Sequence, residues 1–379
     1  MKIGIDALYL RPGKVGGTES YLRNLLKGFS LINDDNEWYI FTAKNNHNTF
    51  QLKNNHFHFL KCNVNNSNRL KRLYYQNMKL PKKIKKLDLD LMFFPTYTRC
   101  LNKLKNTKVV SNLHDLQYKH FPDYFSILKK IIFNIFYPVS IKKSDFLISI
   151  SNFVKNDIVR YFGKKYNNKI KTIYNPIDFE KLKMEVSKNE LKKLNIKSKR
   201  YILSVSSLLP HKNISTLIKA FKDFIERQQT EYKLVLVGVK DKSTNSIIEL
   251  INDLNIKDKI IIPGFVSNNT LAALYQNALL YISTSRFEGF GMTPIEAMYN
   301  EIPVITTKEA SLPEVTMDNA FYYEPSKDFV ALSKEISEVI NNYPSKETLE
   351  AISMEVYQKY NLQKIAKEYI KFFKEVVNK

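Results

Sequence analysis

Short apolar runs alternate with segments of helical period along the whole of this 379-residue chain, and that alternation leaves few folds open. Runs such as Leu91-Met-Phe-Phe and Lys233-Leu-Val-Leu-Val are bounded by turn residues and read as strands buried on both faces. Between them, apolar residues recur three and four positions apart, as on one face of a helix. Strand and helix in regular alternation mean βαβ units, and βαβ units mean parallel sheets. The pattern predicts strands at 3–8, 38–42, 57–61, 91–94, 108–113 and 146–150, with helices at 18–31, 69–85, 124–142 and 152–161. It restarts after residue 200, with strands at 201–205, 233–237, 259–262, 279–284, 303–306 and 321–323. A last helix is predicted at 362–377. The chain thus reads as α/β, with two doubly wound sheets of about six strands each.

Between the two series lies a short strand stopped by Asn175-Pro176, then a lysine-rich stretch without strong period. The junction belongs there. The expected division is a first domain over 1–175, a second over 176–360, and a C-terminal helix over 361–379.

Charge is placed unevenly. Of the net +22, residues 1–175 carry 31 Lys and Arg against 11 Asp and Glu, whereas residues 176–379 carry 28 against 26. A positive field on one half points to an anionic partner for that half: nucleic acid, anionic lipid or a phosphate-bearing substrate. The richest clusters are Arg69-Leu-Lys-Arg and Lys79-Leu-Pro-Lys-Lys-Ile-Lys-Lys. Two cysteines, Cys62 and Cys100, with no metal spacing, suit a reducing compartment. The start shows no signal-peptide pattern, and the longest apolar run, near 131–141, is too short to span a bilayer. The expected location is cytoplasmic, at the inner face of the cell membrane.

Five stretches could carry chemistry, four of them where strands hand over to helices. Gly13-Lys-Val-Gly-Gly-Thr-Glu follows the first strand, with Thr18 as a possible cap for the helix it opens. His114-Asp115 follows the strand at 108–113. Lys212 lies in the loop after the second half's first strand, with Asn213 as a possible cap. Asp88 and Asp90 form a DxD pair, but they precede a strand and so fall on the end away from ligands. The fifth stretch, Arg286-Phe-Glu-Gly-Phe-Gly-Met-Thr-Pro-Ile-Glu, turns through glycines into a helix. Thr293-x-x-Glu296 has the form of a capping box, and a helix start offers N–H groups to phosphate. Glu288 has no such local structural role, and carboxylates accept sugar and ribose hydroxyls.

Glu288-Gly-Phe-Gly-Met-Thr-Pro-Ile-Glu296 resembles the Glu-x7-Glu signature of retaining glycosyltransferases of family 4, which have the GT-B architecture: two Rossmann-like domains facing across a cleft. Gly16-Gly17, His114-Asp115, Pro210-His-Lys212-Asn213, Gly264-Phe265-Val266-Ser and Ser311-Leu-Pro-Glu-Val are similar to further family segments, in the family's order. The resemblance implies transfer of a hexosyl group, mannosyl or glucosyl in type, from a nucleotide diphosphate sugar (UDP- or GDP-linked) to a glycan or lipid-linked glycan such as a polyprenyl-pyrophosphate acceptor. It implies no metal and no other cofactor. His114, Lys212 and Glu288 would be catalytic. Lys212 and the backbone of Gly291, Met292 and Thr293 would hold the diphosphate, Glu296 the ribose, and Glu288 the sugar. Phe265 and Val266 would lie on the base side, and Gly16 and Gly17 would let substrate approach. The last helix would return to the first domain. Ser207 stands where many members carry arginine, which leaves His211 or another cation to supply a second charge, or Lys212 to act alone. Glu301 and Ala310 replace frequent glycines. A nucleotide-sugar epimerase of the same fold and a basic nucleic-acid-binding protein are the competing readings.

Overall fold

The computed structural model describes residues 1–13, 16–52, 54–187, 189–238 and 244–379. The chain divides into two compact units: Met1–Ile177 together with Tyr360–Lys379, and Asp178–Lys359.

The first unit holds strands β1 (Lys2–Asp6), β2 (Glu37–Thr42), β3 (Phe57–Lys61), β4 (Leu91–Phe94), β5 (Lys108–Leu113), β6 (Phe146–Ser149) and β7 (Ile170–Thr172). Its helices are α1 (Gly17–Ser30), α2 (Arg69–Met78), α3 (Leu80–Leu87), α4 (Gln117–His120), α5 (Ile127–Lys143) and α6 (Asn152–Phe162). The second unit holds β8 (Tyr201–Val205), β9 (Lys233–Val237), β10 (Ile260–Gly264), β11 (Leu280–Ser283), β12 (Val304–Thr307) and β13 (Phe321–Tyr323). Around them lie α7 (Asn189–Lys193), α8 (Ile214–Gln228), α9 (Thr244–Asp253), α10 (Asn268–Asn277), α11 (Met292–Tyr299), α12 (Leu312–Thr316), α13 (Phe329–Asn341) and α14 (Lys346–Tyr360). The final helix, α15 (Leu362–Val377), belongs to the first unit.

Both sheets are parallel and doubly wound. The first runs β3-β2-β1-β4-β5-β6-β7 and the second β10-β9-β8-β11-β12-β13. The first therefore has seven strands where the sequence pattern predicts six. The short strand at the junction pairs with β6, Leu147 against Ile170, and extends the sheet. In each sheet the winding direction reverses beside the opening strand, between β1 and β4 and between β8 and β11. Loops leaving the carboxyl ends of those strands part there, and the gap is where such a sheet takes a ligand.

Local chemistry accounts for other departures from the pattern. The helix predicted over 69–85 is two helices, because Pro81 has no N–H to give and sits in the first turn of α3. The helix predicted from 124 begins at Ile127, after α4 and a 3₁₀ turn at Pro122–Tyr124. Thr18 is not the cap residue of α1, and Asn213 takes the cap position of α8 without a side-chain capping bond. Gly16 is the cap position of α1, and Asn213 enters α8 with φ of 54° while its amide donates to the Ser326 carbonyl. Asp88 and Asp90 are exposed at the amino ends of the strands, as the sequence suggests, and Asp90 accepts the Lys2 N–H at 2.7 Å. Among the described residues, no helix is long and apolar enough to cross a membrane.

The first core is completed by α15. Tyr369 and Phe373 pack on Phe93 with ring centroids 5.8 and 5.4 Å apart, and both meet Phe29, which stacks on Trp38. Gly28 permits the crossing: a Cβ there would stand 2.7 Å from the Leu362 carbonyl. Inside the packed rings the hydroxyls of Tyr21 and Tyr369 share one hydrogen bond of 2.7 Å. Replacing either tyrosine by phenylalanine strands the other hydroxyl, at about 1–3 kcal/mol. The double variant removes both groups and is expected to recover part of that loss. Urea unfolding of the three variants checks this, and additive losses would contradict it.

Candidate active site

The second unit gathers its functional side chains at the β8–β11 switch point. β8 delivers the loop carrying Lys212, and β11 delivers the loop carrying Glu288. Several hydrogen bonds fasten the two loops to each other. The Thr284 hydroxyl donates to the Lys212 carbonyl at 2.8 Å, and the Arg286 N–H donates to the His211 carbonyl at 2.8 Å. So fixed, Lys212 Nζ donates to Glu288 Oε1 at 2.5 Å, and the Ser285 hydroxyl donates to the same oxygen at 2.8 Å. Burial pushes the Glu288 carboxyl up, but the Lys212 charge and these hydrogen bonds outweigh it and hold the group below the usual range.

Beside this pair the chain turns through Gly291 into α11. The capping box suggested by Thr293 and Glu296 does not form. The cap position is Gly291, with φ of 92°, and no side chain caps the helix. Thr293 lies within the helix, where its Oγ1 accepts from the Tyr281 hydroxyl at 2.8 Å. Glu296 faces Tyr275, whose hydroxyl donates to it at 2.9 Å. The first N–H groups of α11, at Met292 and Thr293, are thus left without intrahelical acceptors at the positive end of the helix dipole. Ser311 holds the turn from behind, donating to the carbonyls of Glu288 and Phe290. Burial pushes the Glu296 carboxyl up to about 7, with Tyr275 and the charge of Lys181 pulling partly the other way.

His211 does not supply the missing second cation. Burial and the adjacent Lys212 charge push its imidazole down to about 4, so it is neutral at ordinary pH. Where the family has glycine, Glu301 and Ala310 keep a glycine-like backbone, with φ of 58° and 56°. On the far side of β8, Gly238 is obligatory, because a Cβ there would meet the Ser206 carbonyl at 1.7 Å. That contact brings the ends of β8 and β9 together, and the Gly238 N–H donates to Gly264 at the end of β10. Phe265, next in the chain, is 79% exposed beside Val266.

The remaining sequence candidates lie in the first unit. Gly16, with φ of 54°, precedes α1, and Gly17 begins it. Lys14 and Val15 of the same loop lie outside the described residues. His114, after β5, donates from Nε2 to the Pro95 carbonyl at 2.8 Å, which leaves Nδ1 as an acceptor. Burial pushes it down to about 4. His114 borders a cavity of about 350 Å³ at the carboxyl ends of β1, β4 and β5, with Tyr97, Arg69 and Arg72 also in its wall.

The structure therefore brings Lys212, Glu288, Gly291, Met292, Thr293 and Glu296 together, and places Gly16, Gly17 and His114 in the other unit. Sequence reasoning missed Ser285 and Tyr281, which orient this set, and gave Ser311, within a family-like segment, no role. Ser285 had a signal, three residues before Glu288 in the same turn; Tyr281 looked like an ordinary strand residue. Arg72 entered that reading only within a basic cluster toward an anionic partner, not as part of the cavity's wall.

Comparison with known proteins agrees with this architecture. Residues 15–181 match the family model described as Glycosyltransferase Family 4, and residues 186–357 match the model described as Glycosyl transferases group 1. Among curated relatives is the O-antigen chain mannosyltransferase RfbU of Salmonella typhimurium, 29% identical over 62% of this chain and 64% of that protein. Another is the N-acetylgalactosamine-N,N'-diacetylbacillosaminyl-diphospho-undecaprenol 4-alpha-N-acetylgalactosaminyltransferase of Campylobacter jejuni, 26% identical over 78% of each chain. Among solved structures, Anabaena HepE in complex with UDP and glucose superimposes with a TM-score of 0.74 at 18% identity, over 99% of this chain and 100% of that one. WaaG, described as a glycosyltransferase involved in lipopolysaccharide biosynthesis, gives 0.70 at 14% identity, over 98% and 99%. The chain has the GT-B fold and belongs to the glycosyltransferases of family 4.

The raised Glu296 value has a consequence for stability. The folded chain holds this proton more tightly than the unfolded chain, whose carboxyl titrates near the ordinary 4.5. The contribution is full below that value and is lost as pH rises through about 7. Glu296→Gln buries no charge, so its melting temperature should gain on wild type between about pH 5 and about pH 8. A difference that does not change with pH in scanning calorimetry would contradict this.

Proposed function

We propose that this family 4 member transfers a hexosyl group, mannosyl or glucosyl in type, from a UDP- or GDP-sugar to a glycan or lipid-linked glycan during assembly of cell-surface polysaccharide, with retention at the anomeric carbon and without a metal. The observation that carries the reading is the Lys212–Glu288 pair set beside the uncapped start of α11. A diphosphate seated there meets an ammonium and the N–H groups of Met292 and Thr293. Glu296 reaches the ribose hydroxyls, Glu288 those of the sugar, and Phe265 offers its exposed ring to the base. The relatives named for O-antigen mannosyl transfer support the sugar class and the pathway type.

In this reading the bond from the anomeric carbon to the diphosphate breaks with its electron pair going to the diphosphate. Lys212 and the helix start stabilise the charge that develops on the leaving oxygen. The acceptor hydroxyl forms the new bond. His114 is too weak a base to take its proton, since burial holds the imidazole near 4. The departing diphosphate is the better base, and His114 serves as a neutral acceptor that positions a substrate hydroxyl.

The reading also places the chain at the anionic inner face of the cell membrane, through its basic first unit. On α5, Ile127, Leu128, Ile131 and Ile135 are all exposed, with Lys129 and Lys130 among them. Apolar side chains ringed by lysine suit an anionic bilayer surface.

Lys212→Ala should lower kcat/KM about 10²–10³-fold, as loss of a single transition-state donor does. Turnover equal to wild type would remove Lys212 from the chemistry. Turnover in EDTA should match that in buffer, and loss of activity restored by Mn²⁺ would overturn the metal-free reading. Ile131→Ser combined with Ile135→Ser should abolish sedimentation with anionic vesicles at low salt while leaving donor hydrolysis intact; unchanged sedimentation would move the contact elsewhere.

A further inference from the structure

A cluster of lysines lies at the end of the first sheet opposite His114. Lys103, Lys142, Lys143, Lys165 and Lys169 line an open cleft of about 650 Å³. Lys142 and Lys143 end α5 just before β6, and Lys169 stands directly before β7, so the cleft sits at the amino ends of these strands. His114 follows β5 at its carboxyl end. The six residues of β5, at about 3.3 Å each, keep the two places roughly 20 Å apart.

The fold gathers these charges without cancelling them. None of the five lysines forms an ion pair among the described residues. The one carboxylate in the wall, Asp145, accepts the Val109 N–H at 2.8 Å. Carbonyls hold two of the ammonium groups in place: Lys143 Nζ donates to Leu101 at 2.9 Å, and Lys169 Nζ donates to Lys142 at 3.1 Å. An ammonium has three N–H donors, so each keeps two for a ligand. Behind the wall lies Arg99, with none of its surface exposed. It donates to the Cys100 and Asn102 carbonyls and, at 3.3 Å, to the hydroxyl of Ser144, itself in the lining. These acceptors are all neutral, and a guanidinium does not shed its proton. Burial pushes the Lys169 ammonium below its usual range; Asp145 draws it back, and Arg99 adds to the push.

Like charges brought together against a low-dielectric wall repel, and here no pairing offsets the repulsion. A cleft lined in this way focuses positive potential on its interior. The ligand that matches it carries several negative charges close together, and a cleft of about 650 Å³ has room for more than one phosphate group. Among the described residues, no exposed large apolar side chain stands in the lining, and the exposed isoleucines of α5 stop at Ile135, seven residues before Lys142. A lipid headgroup would bring a tail that this rim does not match. A free polyanion needs no such surface.

We propose that this cleft binds a soluble chain of two or more phosphates, with Lys142, Lys143, Lys165 and Lys169 as its ligands. The site lies outside the glycosyltransferase reading, since neither the donor residues nor His114 belong to it.

Inorganic tripolyphosphate is the probe, titrated into the full chain by calorimetry at low salt. The Lys142 and Lys165 side chains are exposed and donate no hydrogen bond among the described residues, so Lys142→Gln combined with Lys165→Gln leaves the bonds of the fold intact. This double variant should bind about tenfold or more weakly than wild type. Lys82→Gln combined with Lys86→Gln removes the same charge from exposed positions on α3, outside the cleft, and should bind like wild type. Equal weakening in the two double variants would reduce the effect to net charge and overturn the proposal, as would a wild type that does not bind. Lys212→Ala and Arg69→Gln each remove a cation from another site and should also bind like wild type. Binding lost in either would put the probe at that site and overturn the assignment to the cleft. Sedimentation with vesicles of phosphatidylcholine and phosphatidic acid tests the other source of phosphate, and the two double variants should sediment alike. Sedimentation lost in the Lys142 and Lys165 variant but kept in the Lys82 and Lys86 variant would put a lipid headgroup in the cleft and overturn the soluble ligand.

Discussion

The ion pair between Lys212 and Glu288 fixes the second unit's site. Neither partner is freely solvated, and a buried charge without its partner costs several kcal/mol, typically about 3–5. Each loop therefore needs the other in place. β8 and β11, neighbours in space but far apart in sequence, are locked into one register of loops, and Thr284, Ser285 and Arg286 add hydrogen bonds at the same seam. The pair also leaves Lys212 with two further N–H donors. An incoming anion can share the ammonium without breaking its bond to Glu288, so the site need not reorganise to accept charge.

A second constraint acts at α11. Helix starts usually recruit a side chain to close them. Here the two candidates are drawn elsewhere by tyrosines: Thr293 by Tyr281 and Glu296 by Tyr275. The open helix start is therefore held open by the packing of strand and helix aromatics behind it. The carboxylate that a cap would have kept in solvent is kept buried, near the pH at which it ionises.

Much of this was legible in the sequence, for physical reasons that also mark the limit. Strands buried on both faces leave continuous apolar runs, so the alternation and the loop positions of Lys212, Glu288 and His114 could be read directly. What failed was whatever a distant residue decides. Thr293-x-x-Glu296 has the local form of a capping box, and only the positions of Tyr281 and Tyr275 show that none forms. The short strand before Asn175-Pro176 could be read, but not its place: β7 joins the first sheet as a seventh strand because β6 offers it an edge. His211 looked like a spare cation until burial neutralised it. Arg72 is the instructive case. It was read only as part of a basic cluster toward an anionic partner, although its three-residue spacing from Arg69, against Leu70 and Tyr74, already separates two helix faces.

The return of α15 to the first unit bears on how the chain is made. Phe29 and Phe93 are synthesised early, but the aromatic rings that cover them, Tyr369 and Phe373, come last. Until α15 is made, α1 shares that face of the first sheet without the α15 side chains that complete its core. The second unit, contiguous from Asp178 to Lys359, has no such debt to later sequence and can finish before its predecessor. The first unit is therefore closed only by sequence that lies beyond the whole of the second.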